Sequence, residues 1–333
     1  MLNKITDPEA PVLVIGASGV DVVGRVQSGL SQGTSNPAQI RSSFGGVARN
    51  VAENLARLGQ SVILLTAIGD DQIGGQLLSY TADAGVDVRA ALKIPDRPTG
   101  SYLAIINQKG KLQLALDDMR VVTELTPTYL RQQAHLFKQA STVFTDANVP
   151  PKTLHTIFSL ARRAGCPVCA DPTSSSLAPR LKPYLDRLHV ITPNHNEAAI
   201  LTEQGLEPSN DDLFRSDDLF RSDDLSRSYE QSLETARNLV FQGVNFAIIT
   251  LAEFGLAYAT SENSGHIPAL RTEITDPTGA GDALTAAVIF ALLNEIPPDE
   301  AVRLGVSAAS LTLRCPGSVV ADLSLEMLYD HLV

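Results

Sequence analysis

The sequence predicts an α/β fold of three layers, α/β/α, with a mainly parallel central sheet and a small β-sheet lid. Two observations carry this reading. Short apolar runs alternate with longer amphipathic stretches, the rhythm of strands that reach parallel neighbours through crossover helices. One region, spread over residues 20–44 and 99–119, breaks that rhythm with extended segments and a hairpin turn, which predicts a separate small sheet.

The elements follow in order. Val12-Leu13-Val14-Ile15 is a short apolar run ending at Gly16, the pattern of a buried strand. Val20 to Gln27 mixes branched apolar residues with polar ones and continues extended. Val47, Val51, Leu55 and Leu58 recur at helical spacing, and Gly59 stops the helix. Val62–Ala67 reads as one strand and Ile73–Ala84 as a helix. Gly100–Asn107 and Leu112–Asp118 flank Gln108-Lys109-Gly110-Lys111 as the arms of a hairpin. With Val20–Gln27 and Gln39–Phe44 they are expected to form a flap over the site. Strands return at Thr142–Thr145, Pro167–Ala170, Val190–Thr192 and Ala247–Thr250, with helices at Leu154–Ala164 and Leu233–Phe241.

Composition excludes several classes. No run approaches the length of a membrane span, and the segment from Met1 to Pro11 lacks the basic-then-apolar order of a signal peptide. Three cysteines cannot build a disulfide framework, which suits a reducing compartment, so a cytoplasmic protein is expected. A net charge of −11 argues against a nucleic-acid partner. Part of that charge sits in a tandem hexad, Asp211-Asp212-Leu213-Phe214-Arg215-Ser216, repeated as Asp217–Ser222 and, with one change, as Asp223–Ser228. Six residues are too few for a solenoid unit, so an acidic surface-loop insertion over 209–228 is expected.

The chemistry concentrates in Asp276-Pro277-Thr278-Gly279-Ala280-Gly281-Asp282, which feeds directly into a long apolar helix. Free N–H groups at a helix start favour an anion, and small residues let a phosphate approach the backbone. Asp282 can be an ordinary helix cap, for which aspartate is well suited. It can equally be a general base beside a bound phosphate. The segment is not a Walker A loop, and Gly279-Ala280-Gly281 lacks the third glycine of a dinucleotide fingerprint.

These residues resemble the PfkB or ribokinase-like carbohydrate kinases. Asp276–Asp282 matches the C-terminal signature, Gly45-Gly46-Val47-Ala48-Arg49-Asn50 the N-terminal one, and Asn194-His195-Asn196-Glu197 the N-x-x-E motif. The phrases GGVARNVAENLARLG from Gly45, Ala67-Ile68-Gly69-Asp70-Asp71 and Ala170-Asp171-Pro172-Thr173-Ser174 are most similar to the pseudouridine kinase branch. So is Ser101-Tyr102-Leu103-Ala104 ahead of Asp117-Asp118-Met119.

The resemblance implies a single kinase domain over 1–333 that uses ATP and Mg²⁺, with Asp282 deprotonating the acceptor hydroxyl and the backbone of Gly279, Ala280 and Gly281 holding the moving phosphoryl group. It implies Asp21, Gly45, Gly46 and Asn50 on the sugar, and Asn194, Thr250, Gly255 and Ala309 on ATP. Asn194 and Glu197 would organise Mg²⁺ through water, and the Asp276 backbone a monovalent cation such as K⁺. The substrate implied is a small sugar or nucleoside, pseudouridine first, with adenosine, ribose or a ketohexose derivative as rivals. A homodimer through the lid is implied as well.

Simpler readings stand beside these. Gly45-Gly46 can be a tight turn, and Asn194 with Glu197 a capping box. The usual glycine of the nucleotide loop is replaced by Ala252, which puts the shape of that loop in question. Ser307-Ala308-Ala309-Ser310 can face adenine or simply pack against another helix. Val47 stands where ribokinases carry lysine, against ribose itself. Cys166-Pro167-Val168-Cys169 is expected to be buried and structural, and His195 to face solvent. A dinucleotide-binding oxidoreductase is the rival of another class, suggested by Val12–Gly16 running into Gly19.

Overall fold

The computed structural model describes residues 9–108, 112–203 and 222–332. Strand β1 (Val12–Ile15) is buried at every position, as four branched residues in a sheet covered on both faces must be. The chain then leaves for β2 (Gly19–Val26) and β3 (Ala38–Gly45) and returns in helix α1 (Val47–Arg57). Next come β4 (Val62–Leu65), β5 (Ala67–Gly69), α2 (Gln72–Asp83) and β6 (Leu92–Ile94). The hairpin β7 (Gly100–Ile106) and β8 (Leu112–Asp118) follows.

Helices α3 (Pro127–Gln132) and α4 (Ala134–Gln139) lead into β9 (Thr142–Asp146), α5 (Pro151–Ala164) and β10 (Val168–Asp171). The alternation continues through β11 (Leu188–Ile191), α6 (His195–Thr202), α7 (Ser222–Phe241) and β12 (Phe246–Thr250). An antiparallel pair, β13 (Leu256–Thr260) and β14 (Ser264–Ile267), precedes α8 (Ala280–Leu293), α9 (Pro298–Arg314) and α10 (Leu325–Asp330).

The central sheet runs β14-β13-β12-β11-β10-β9-β1-β4, parallel from β12 to β4. Alternate side chains enter opposite layers. Leu13, Ile15, Val143 and Ile249 pack with Phe137, Leu154, Ile157 and Leu239 of the α3–α7 layer. Val12, Val14, Phe144 and Ile248 pack with Leu55, Val288 and Leu304 of the α1, α8 and α9 layer. Each such side chain, fully buried, contributes about 1.5–3 kcal/mol, so the two layers hold the sheet from both sides. Because β1 is flanked by β4 and β9, the chain turns to opposite sides of it, which opens a crevice at the carboxyl ends of β1 and β9.

A second sheet, β3-β2-β7-β8, stands over that crevice. Its register sets Asp21 beside Tyr102 and Tyr102 beside Asp117, so these share the inner face. The outer face carries exposed Leu103, Leu114, Leu116 and, on β3, Ile40.

Two expectations need correction, and one edge of the sheet was missed. Val62–Ala67 is not one strand. The buried Thr66 hydroxyl donates to the Gly16 carbonyl at 2.7 Å, and beyond it β5 leaves the main sheet to pair with β6. The antiparallel β13–β14 edge went unread, because Leu256–Thr260 has the composition of a strand but no flanking helical rhythm. The first two hexad copies lie outside the described residues up to Ser222, where α7 begins; the third, Asp223–Ser228, is helical rather than loop.

Cys166 and Cys169 are buried in opposite layers, and burial pushes both thiols up to about 12, so this pair is structural. The dinucleotide reading fails on geometry: the residues after Gly19 form strand β2, not a helix.

Candidate active site

Between the crevice and the inner face of the small sheet lies a cavity of about 590 Å³. Asp21, Gly46, Asn50 and Asp282 all line it, together with Tyr102, Asp117, Asn148 and Thr173. Val23, Ala104, Ile106, Leu112 and Met119 give its lid side an apolar surface. The Asp21 side chain is 4% exposed; burial pushes its carboxyl up to about 7, with the Arg49 charge opposing the shift and Asp276 adding to it.

Gly46 both starts α1 and lines the cavity. Its φ of 95° is a left-handed value, and a Cβ there would lie 2.6 Å from the Ala17 carbonyl oxygen. Gly45 is different. It does not line the cavity, and a Cβ on it would lie 2.0 Å from an Asp21 carboxylate oxygen. Its part is to leave room for Asp21.

The cap reading of Asp282 does not hold. Gly279, with φ 81°, is the N-cap of α8, and Asp282 is in the first turn. Its carboxylate instead accepts the Asn50 Nδ2 hydrogen bond at 2.7 Å. Burial pushes it up to about 7; the Asn50 bond opposes this, and the charges of Asp21 and Asp146 reinforce it.

A second cavity, about 670 Å³, opens on the other side of the same turn. Asn194, Thr250, Gly255 and Ala309 line it, as do Ala280 and Gly281, and Pro277 lines both cavities. Gly279 lines neither. A Cβ on it would lie 2.2 Å from the Ser318 carbonyl oxygen, so its glycine shapes the turn from behind. Asp276 is also buried behind the turn, its Oδ1 accepting from the Thr278 N–H at 2.9 Å.

Ala252 adopts φ 51°, the left-handed conformation a glycine takes freely, so the loop has its bend at a cost of about 1–2 kcal/mol. Small residues on α9 divide their tasks. Ala309 and the buried Ser310 line the cavity, whereas Ser307 and Ala308 do not, the Ser307 hydroxyl donating to the Leu328 carbonyl at 2.8 Å.

Asn194 and Glu197 do form a capping box. The Asn194 side chain accepts from the Glu197 N–H at 3.0 Å and the Glu197 carboxylate from the Asn194 N–H at 2.9 Å. Glu197 is buried and lines neither cavity. His195 does not simply face solvent: it is half-buried on the second cavity, Nδ1 lies 3.3 Å from the Ser232 hydroxyl, and burial lowers its pKa.

Among the described residues no trio of His, Cys, Asp or Glu closes into a metal cage. The Asp171 carboxyl nevertheless lies well above the usual carboxylate range, through burial first and then the charges of Glu197 and Asp282. Neither Asp171 nor Glu197 lines a cavity, so a divalent cation beside Asn194 would meet these carboxylates only through waters it retains.

Sequence reasoning missed the residues that assemble the site from behind. Asp146, fully buried at the end of β9, accepts from the N–H groups of Ala17 at 2.8 Å, Ala48 at 3.1 Å and Asn148 at 2.9 Å. It ties β1, the start of α1 and a cavity-lining loop together. Arg180 donates to the carbonyls of Ala147 and Asn148 at 2.9 and 3.0 Å, holding that same loop. Arg49 and Glu53 form an ion pair inside the protein. The available signal was charge on the buried stripe of an amphipathic helix and an aspartate closing an apolar strand.

Known proteins place the arrangement. Residues 10–323 match the pfkB family carbohydrate kinase profile. The chain is 30% identical over 315 residues to a pseudouridine kinase of Escherichia coli, covering 94% of each. It is 27% identical to a guanosine-inosine kinase of Exiguobacterium acetylicum, covering 90% of this chain and 93% of that one. The solved structure of a carbohydrate kinase from Agrobacterium tumefaciens superposes with a TM-score of 0.77 at 27% identity, over 97% of each chain. This chain belongs to the pfkB family of carbohydrate kinases, with the ribokinase-like α/β fold. It is a phosphotransferase acting on a sugar or nucleoside hydroxyl.

Proposed function

We propose that the chain transfers the γ-phosphate of ATP to the 5′-hydroxyl of pseudouridine, with Asp282 as the general base. One observation carries the reading: a single helical turn puts Ala280 and Gly281 on one cavity and the Asp282 carboxylate on the other. An acceptor hydroxyl beside Asp282 and a phosphate over the α8 N-terminus would therefore meet there. Asp282 takes the hydroxyl proton, and the N–H groups of the turn stabilise charge on the moving phosphoryl group.

Asp21, Gly46 and Asn50 serve the sugar. Asn194, Thr250, Gly255 and Ala309 border ATP. Asn194, Glu197 and Asp171 would hold the waters of Mg²⁺, which neutralises phosphate charge when bound. The backbone carbonyl of Asp276 would be a ligand of K⁺.

A nucleoside is favoured over a free sugar by the first cavity, which has a charged floor and an apolar lid side. The likeness to a protein named pseudouridine kinase supports pseudouridine as that nucleoside. A coupled ATPase assay across pseudouridine, uridine, adenosine, guanosine, ribose and fructose 1-phosphate tests it. Selective turnover of pseudouridine is expected, and preference for a hexose overturns the assignment.

The outer leucines of the lid, with Ile40 71% and Leu116 61% exposed, support pairing of two lids in a homodimer. Light scattering should give twice the chain mass, and Leu116→Lys should reduce it to one; a monomeric wild type sinks the dimer.

A further inference from the structure

We propose that Arg49 is a positioning residue for the base: through the Asn50 amide it fixes where the Asp282 carboxylate points. The inference rests on Asp282 acting as base. Arg49 does not line either cavity, and its side chain is 1% exposed. Its Nη1 donates to Asn50 Oδ1 at 2.7 Å and to the Phe44 carbonyl, while Nη2 meets the Glu53 carboxylate. Glu53, fully buried one helical turn on, also accepts from Arg57 at 3.0 Å, and the Tyr80 ring centroid lies 5.5 Å from the Arg49 guanidinium. The guanidinium is thus held from several directions before it touches Asn50.

An asparagine amide has one accepting and one donating end. With Arg49 on Oδ1, and Ser318 Oγ on the same oxygen at 3.0 Å, Nδ2 is left to face Asp282 at 2.7 Å. Flipping the amide would set NH₂ against a guanidinium and oxygen against a carboxylate. Both contacts would be repulsive, so a single orientation survives. Asp282 is then gripped at one oxygen, leaving the other for the acceptor hydroxyl. A buried guanidinium is costly to desolvate, and an apolar residue would fill this stripe of α1 more cheaply if packing were all that was needed.

The test uses the full chain with ATP, Mg²⁺ and pseudouridine. Arg49→Met should lower kcat by about 100-fold, because a slightly misaimed base loses most of its effect. Its KM for ATP should stay within about twofold of wild type. Arg49→Lys, which keeps a donor but loses the planar fork, should recover about a tenth of the wild-type rate. In Asn50→Ala the Arg49→Met substitution should cost nothing further, since both act along one chain of contacts. Multiplicative losses, or a raised ATP KM with kcat intact, overturn the proposal.

A second measurement needs no acceptor. In a ¹H–¹⁵N spectrum the Asn50 side-chain amide pair is identified by its loss in Asn50→Ala. It should exchange slowly in wild type and rapidly, at a new shift, in Arg49→Met, or in Arg49→Lys if the Met variant does not fold. An unmoved pair overturns the clamp. If Asp282→Asn turns over normally, the base assignment falls while this spectrum still judges the clamp. If Asp282→Asn is inactive and the pair is unmoved, only the clamp falls.

Discussion

The two cavities that meet at the start of α8 are built from different materials. The one under the lid is floored by side chains from separated stretches of chain: Asp21, Asn50 and Asp282, with Asp146 and Arg49 behind them. The other is bordered by three turns, around Asn194, Ala252 and Ala280, and by apolar side chains such as Leu270, Ile274 and Leu313. On the lid side, then, a substitution changes the charge presented to a ligand. On the other side, a substitution in one of the turns changes the shape of a loop. Phosphate recognition by N–H groups needs shape, whereas activating a hydroxyl needs a carboxylate at the right protonation state.

Asp282→Asn attacks the lid-side cavity at its centre. It should cut kcat by about 10³-fold or more while ATP affinity and fold persist, a loss typical of a removed general base. A variant within tenfold of wild type would remove Asp282 from that role. Gly279→Ala attacks the shared turn, adding a Cβ against the Ser318 carbonyl at a positive φ. Here both stability and turnover should fall, the former by about 1–3 kcal/mol in denaturant unfolding. An unchanged midpoint would mean that the turn does not need the glycine.

Asp21→Asn should separate the two cavities, raising the acceptor KM by about ten- to a hundredfold and leaving that for ATP alone. Equal effects on both constants would deny that division. The pH dependence follows from the raised carboxyls. Asp282, shifted up from 3.8 to about 7, must be ionised to act, so kcat/KM should fall as pH drops through about 7. The sign for stability is opposite. A folded carboxyl that holds its proton more tightly than the unfolded one stabilises the fold as pH falls from about 7 toward 4 and opposes it above. Asp282→Asn should therefore melt a few degrees higher than wild type at pH 8, and the gain should shrink by pH 5. A gain independent of pH contradicts the assignment. The smallest effect is reserved for the loop wall: Ala252→Gly relieves the left-handed alanine, and unfolding should show a change of about 1 kcal/mol or less, because glycine also loosens the unfolded chain.

The layered fold was legible because its signals are local. Branched residues in fours read as buried strands, and Val51 and Leu55 at helical spacing read as the buried stripe of α1. The Gly279–Asp282 turn was legible for the same reason: a helix start with small residues is favourable to an anion whatever surrounds it. Local pattern failed at Thr66, where a strand breaks and a hydroxyl meets a carbonyl just past the end of β1. It also misassigned Gly45, whose missing Cβ makes space for a carboxylate 24 residues earlier in the chain.

By itself, then, the chain determined its layers, its turns and the residue types suited to phosphate and proton chemistry, since backbone sterics and hydrophobic period act over a few residues. Only the tertiary structure decided which groups meet. Asn50 reaches Asp282 across 232 residues and Asp146 reaches Ala17 across 129. Buried polar groups must find partners wherever folding brings them, and that requirement leaves no periodic trace in sequence.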